Sequence, residues 1–290
     1  MEEVIRSDIF QKALLGGSLT AVLCAAVGYF MVLRALAFAS EALTDIGFAG
    51  ATGSVLLGWN PLLGMLGLGL LAVLSLVALG NRLKGRDVQI GMVLSFALGL
   101  GVLFLSLYAR SSATHANSGI GLLFGSLLSI SGQLLTLLVI VAAAVLVVLL
   151  VIFRPLLFAS IDPASARAKG VPTRFLDFAF FFLLAATTAV SIQSMGFLLA
   201  FALLSAPAGA AHKLTRNPKL ALLAAVLLGL GVTWISLLLA FFGPLKRIPV
   251  GFYIASLSAL LYGGALVWNK LRKRPLPEEH HFHLEREISL

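Results

Sequence analysis

The chain has 290 residues, 60% hydrophobic and 11% charged, with a formal net charge of +9 and a mean hydropathy of +1.03. A soluble domain of this length carries about twice that charged fraction, and apolar runs of about 20 residues recur throughout, so the fold class is all-α, a polytopic membrane protein. No polar stretch is long enough for an extramembrane domain or an ATP-binding fold, and the basic residues fall between apolar runs, where they report topology rather than nucleic-acid binding.

The acidic start MEEVIRSDIF leads into a span-length run with no A-x-A-like site, which argues against a cleaved signal peptide. The first span is expected near Ile9–Leu33. It contains Cys24, whose solitude excludes a disulfide framework or a redox pair and whose small neighbours assign it to packing.

The second span, Ala35–Leu57, reads ALAFASEALTDIGFAGATGSVLL and carries Glu41 and Asp45, the only carboxylates well inside any apolar run. An acid at a helix centre costs about 2.5–3.5 kcal/mol on insertion scales, so a pair of them is tolerated only for a reason, a cation path or a buried polar contact. Their i, i+4 spacing places both on one helix face, one turn apart. Two carboxylates so placed neutralise a divalent cation as it sheds water. The alternative is a structural pair hydrogen-bonded to Ser40, Thr44 or a facing helix. Gly47, Gly50 and Gly53 follow on the same span and admit close approach of a second helix, from this chain or from another subunit.

Spans three to five are expected near Leu62–Leu79, Val88–Tyr108 and Leu134–Phe153. Between the fourth and fifth, SSATHANSG is polar and GLLFGSLLSI is too short to span, so the latter reads as a re-entrant or interfacial helix. His115, in that outer loop, has little claim to a ligand role. Next comes RPLLFASIDPASARAKGVPTR, Arg154–Arg174. Asp162 suits an N-cap, Pro163 the first helical position, and Gly170 followed by Pro172 a stop. A two-turn helix bearing Arg167 and Lys169 is expected between them, too polar for lipid. It is either a docking element for a soluble partner or an ordered loop held by its own caps.

Spans six to nine are expected near Phe175–Ser191, Met195–Ala211, Ala221–Phe242 and Phe252–Trp268, the short sixth and seventh leaving eight as the alternative count. Thr187, Thr188, Ser191, Gln193 and Ser194 form a polar cluster, either a pathway rim or interhelical hydrogen bonds. Pro207 removes a backbone hydrogen bond among small residues that let neighbours approach, as in a path-lining helix or in ordinary membrane packing. His212, at the cytoplasmic end, is an exit-side ligand or an interfacial residue. Residues 1–270 thus form one transmembrane domain and 271–290 a polar tail, where His280, His281 and His283 offer at most weak metal binding. Placing Arg34, Asn81–Arg86, Arg154–Arg174, Lys213–Lys219 and the tail in the cytoplasm leaves only Arg6, Lys12, Arg110, Lys246 and Arg247 outside. The N-terminus is then outside and the C-terminus inside.

Several of these pieces resemble the ABC-3 family of metal-ion permeases, the membrane subunits of bacterial zinc, manganese and iron importers. EALTDIGFAGATG, after Arg34, takes the place of the family's D-A-L-S-H-A-x-L-P-G-like segment; DVQIGMVLSFALGLGVLFLSL and GLLFGSLLSIS resemble its fourth span and its "LFG" segment. SIDPASARAKGVP is similar to the D-P-x-x-A-x-x-x-G loop, and MGFLLAFALLSAPAGAA to the G-x-L-L-v-x-A-L-L-x-x-P-A-x-x-A span. The resemblance implies a type II ABC importer permease in the bacterial inner membrane. It implies a homodimer with cytoplasmic ATP-binding subunits and an extracytoplasmic metal-binding protein. The chain itself would bind no cofactor and hydrolyse no ATP, ATP being held by the separate subunit. Asp162–Gly170 would couple that ATPase to the membrane helices. At the family's histidine position stands Asp45, which leaves Glu41 and Asp45 an oxygen-only pair favouring manganese or ferrous iron, although zinc also accepts carboxylates. Two other readings compete: a permease for a larger chelate, such as a siderophore or corrinoid, and a gradient-driven secondary transporter, for which no inverted repeat is seen.

Overall fold

A computed structural model describes residues 7–79, 87–111, 127, 130–215, 217–242 and 250–272. Among these there are ten helices and no strand: α1 Asp8–Leu33, α2 Ala37–Leu56, α3 Pro61–Leu79, α4 Asp87–Ser111, α5 Gly132–Ile161, α6 Pro163–Ala168, α7 Thr173–Met195, α8 Phe197–Leu214, α9 Pro218–Phe242 and α10 Val250–Arg272. Each expected span corresponds to one long helix. Seven helices of the described residues are long and apolar enough to cross a membrane; α2 and α3 stand outside that seven, α3 with a shorter apolar stretch at Pro61–Ser75. Asn81–Arg86, His115, most of Gly121–Ser131, Lys246, Arg247 and the tail with His280, His281 and His283 lie outside the described residues.

α1 is the central helix, packed on α5, α7, α8 and α9. Its start is fixed by Ser7, whose hydroxyl accepts from the Phe10 amide at 3.3 Å, and by Asp8, paired with Lys12 at 2.5 Å in the first turn, where the helix dipole favours an acid. In lipid, apolar contact alone does not draw helices together, so close backbone approach must. Gly28 supplies it: a Cβ there would overlap the carbonyl of Leu204 on α8. Around this contact Tyr29, Phe30 and Phe180 are fully buried, with Phe30 edge-on to Phe153 and Phe180. Large apolar side chains on α4, α5 and α10, such as Met92, Leu150 and Leu260, point outward, as lipid-facing surfaces do.

Two breaks shape the bundle. Between α1 and α2, Ala35 takes φ 55°, which turns the chain within three residues, so α2 begins at Ala37. Arg34, in that turn, pairs with Asp177 on the first turns of α7 and stacks over Phe180 at 5.3 Å. Between α7 and α8, Gly196 takes φ 93° and ψ 161°, a conformation essentially reserved for glycine. The sixth and seventh spans are therefore separate helices divided at one residue.

The thirty residues of α5 reach about 45 Å at 1.5 Å per residue, longer than a hydrocarbon core of about 30 Å. Asp162 ends α5 and starts the six-residue α6, its carboxylate accepting from the amides of Ala164 (3.1 Å) and Ser165 (3.0 Å). Hydrogen bonds from Ser165 and Ala164 hold this exposed carboxyl below its ordinary value. Gly170, at φ 77°, closes the far end, and the Val171 amide donates back to the Ala166 carbonyl at 3.0 Å.

Candidate functional site

α2 carries the site. It packs on α3 and α4, and touches α7 and α8. Starting at Ala37 puts Glu41 in the second helical turn, near the N-terminal end of α2, and Asp45 one turn further along. Glu41 is half-buried, whereas Asp45 is only 3% exposed. Both line a cavity of about 300 Å³ together with Thr44 of α2, Leu94, Ser95 and Leu98 of α4, and Phe197, Leu198 and Phe201 of α8.

The hydrogen-bonding alternative for the two acids can be followed atom by atom. Ser40 donates to the Ala37 carbonyl (2.7 Å) or the Met31 sulfur (2.8 Å), and Thr44 donates to the Ser40 carbonyl (2.8 Å). Neither hydroxyl serves a carboxylate. Among the described residues, neither Glu41 nor Asp45 makes a hydrogen bond or ion pair. A buried carboxylate with no donor is costly unless something else meets its charge. Among the described residues no group of three or more His, Cys, Asp or Glu gathers in one place, so the acidic pair stands without an imidazole or thiolate.

An aromatic pair lies next to the cavity. Phe48, one turn beyond Asp45, presses against Gly101 of α4, where a Cβ would meet its ring at 2.5 Å. Phe48 lies 4.8 Å from Phe197 between ring centroids, at an interplanar angle of 31°. This aromatic pair lies beyond the carboxylates toward the C-terminal end of α2, and Phe197 lines the cavity. Phe197 directly follows Gly196, so the break in the backbone positions the pair.

The three glycines of α2 meet helices of the same chain. A Cβ on Gly50 would overlap the Gly64 carbonyl of α3, one on Gly53 would lie 3.2 Å from Phe104 of α4, and one on Gly47 would lie 3.7 Å from Ile192 of α7. Pro207 is buried inside α8, 3.8 Å from where a Cβ on Gly229 would lie. Of the polar residues of α7, Ser191 bonds to Cys24 (3.2 Å) and Ser194 to Thr20 (3.1 Å), Thr188 donates to the Ala185 carbonyl of its own helix, and Thr187 Oγ1 and Gln193 Oε1 are buried without a partner among the described residues. His212 stacks edge-on to Tyr29 at 5.5 Å and is not part of the cavity. Lys169 lies over Phe158 at 5.3 Å, and Arg167 and Lys169 face solvent beside the buried Ala166. α6 is thus a short, capped, basic helix whose residues do not line the acid-bearing cavity. Sequence reasoning did not single out Ser95, Phe48 or Phe197; period and hydropathy place them on spans but do not say which faces meet.

Comparison with known proteins adds a frame. The sequence profile of the ABC 3 transport family matches residues 6–268. The manganese import system permease protein ScaB of Streptococcus gordonii is 30% identical over 253 residues, 87% of this chain and 88% of ScaB. The manganese transport system membrane protein MntC of Listeria innocua is 27% identical over 270 residues, 92% of this chain and 89% of MntC. Among solved structures, PsaBC from Streptococcus pneumoniae in complex with Fab superposes with a TM-score of 0.80 at 24% identity, covering 91% of this chain and 93% of the matched chain.

Proposed function

The chain belongs to the ABC 3 transport family, a multi-pass protein of the bacterial plasma membrane, and we propose that it is the permease subunit of an ATP-driven importer whose cargo is manganese. The observation that carries this reading is Asp45: buried, without a donor, on one face with Glu41 and opening into a cavity. An unpaired acid inside a membrane bundle marks an ion path by default. The oxygen-only pair suits a hard divalent ion, and the curated relatives named above are manganese permeases. Two carboxylates and few other ligands hold such an ion weakly enough to release it.

In this reading two copies of the chain pair in the membrane, a separate cytoplasmic subunit hydrolyses ATP, and an extracytoplasmic protein delivers the ion. Asp162, Pro163, Arg167, Lys169 and Gly170 form the contact through which ATPase closure reaches the membrane helices. The capped ends of α6 keep it stiff enough to transmit that motion, and Val171 to Thr173 lead straight into α7. The chelate reading is weaker, because a siderophore or corrinoid needs a wide cavity lined by small residues, and this one is lined by leucines, phenylalanines and two acids. Membership of the family sets the gradient-driven reading aside.

The test is uptake of radiolabelled manganese by cells producing the chain with its ATP-binding subunit and binding protein. Glu41→Gln combined with Asp45→Asn should abolish uptake while the subunits still co-purify. Unchanged uptake removes both residues from the path.

A further inference from the structure

Building on the carboxylate reading, we infer that Ser95 of α4 is a third ligand of the transported ion, so that the cargo is held between α2 and α4 by a carboxylate–carboxylate–hydroxyl set. The starting point is what many of the helical hydroxyls do. Thr20, Thr44, Thr52, Thr136, Thr233 and Ser236 each donate to a carbonyl one turn back in their own helix. Ser106, three turns further along α4, does the same, donating to the Leu103 carbonyl at 2.9 Å. Such a back-bond is the usual way a serine satisfies its hydroxyl inside a membrane helix. Ser95, an exposed residue of α4, has none, and among the described residues its hydroxyl has no partner; the buried hydroxyls of Thr187 and Ser258 also lack one, but neither of them lines the acid-bearing cavity.

Its position gives the reason. Ser95 lines the cavity that Glu41 and Asp45 line, facing them from the neighbouring helix. Of the four polar residues there, two are the unpaired acids, and Thr44 has its hydrogen committed to the Ser40 carbonyl at 2.8 Å. The remaining wall is leucine and phenylalanine, which offers an ion nothing. Asp45, 3% exposed and unpartnered, is aimed into the same space. A hydroxyl oxygen is a hard, neutral donor. It completes more of the coordination shell without a third negative charge, so the ion is stripped of water yet still leaves. Because the set draws on two helices, a loaded site also fixes the spacing of α2 and α4.

Ser95→Cys tests this directly, since it exchanges the hydroxyl for a thiol that soft ions prefer. The purified full-length chain in detergent is titrated with cadmium chloride, read by the sulfur-to-cadmium charge-transfer absorption against the unaltered chain, which already contains buried Cys24. The variant is expected to bind cadmium about tenfold or more tighter, and adding Glu41→Gln and Asp45→Asn should remove that gain. In manganese uptake, Ser95→Ala should raise KM severalfold with little change in kcat, Ser95→Thr should restore KM, and Ser106→Ala should leave both alone. No cadmium gain in Ser95→Cys, or an unchanged KM in Ser95→Ala, overturns the assignment. If the double acid variant abolishes uptake while every Ser95 variant is silent, Ser95 alone is wrong. If the double acid variant transports normally, the carboxylate reading itself has failed.

Discussion

Arg34→Met and Asp177→Leu remove opposite halves of one ion pair, and the structure predicts unequal consequences. The Arg34 side chain is 13% exposed, pairs through Nη2 with Asp177 and leaves Nη1 buried without a partner; the Asp177 side chain is 41% exposed. Removing one partner of a buried pair costs about 3–5 kcal/mol because the survivor keeps its charge. For Asp177→Leu the survivor is a largely buried guanidinium, relieved in part by the Phe180 ring 5.3 Å away. The expected loss is therefore about 2–4 kcal/mol, a cation–π contact contributing about 0.5–1 kcal/mol. Arg34→Met removes the charge and the orphaned Nη1 together and leaves an acid that water already reaches, so about 0–1 kcal/mol is expected. The double variant should match Arg34→Met. Equilibrium unfolding in mixed detergent micelles, run as a double-mutant cycle, measures all four states. Equal losses in the two single variants, or a larger loss in Arg34→Met, would refute the reasoning.

Gly28→Ala should destabilise the chain by about 1–3 kcal/mol in the same unfolding assay, because its Cβ would meet the backbone of Leu204, which cannot rotate away. Gly196→Ala places a side chain at φ 93°, a strain of about 1–3 kcal/mol, and should weaken uptake with stability as the Phe48–Phe197 pair shifts; unchanged uptake and unfolding would count against a fixed break there. Asp162→Ala should lower transport-coupled ATP hydrolysis while manganese binding persists, and Asp162→Asn, which still caps α6, should not. The Asp162 carboxyl is held below its ordinary value, so its capping contribution is fully present above the ordinary carboxylate range and is lost as pH falls through the depressed value. Amide exchange of Ala164 and Ser165 should accordingly show constant protection above about pH 5 and loss only at lower pH.

The helices were legible because membrane spans announce themselves by length and hydropathy, and the basic residues between them gave direction. α6 was legible for a different reason: Asp162, Pro163 and Gly170 each have one natural place in a short helix. The two chain breaks were not. Ala35 adopts a left-handed turn although alanine is the best helix former, so nothing local marks α2 as starting at Ala37. Gly196 in SMGF is one glycine among 28, and only its backbone angles separate α7 from α8. Glu41 and Asp45 stood out because acids are rare in apolar runs, but their surroundings depend on which faces of α4 and α8 meet α2. That information lies in packing, not in the period of one helix. It is also why the glycines of α2, readable as a surface for another subunit, turn out to receive Gly64, Phe104 and Ile192 of the same chain.

The central claim is that a divalent ion is held at Glu41 and Asp45. Crystals of the purified chain soaked in manganese chloride, with anomalous diffraction collected at the manganese edge, would locate the ion without reference to transport. A single anomalous peak in the cavity between α2, α4 and α8, within bonding distance of both carboxylates, is the predicted result. A peak elsewhere in the bundle with that cavity empty would contradict it.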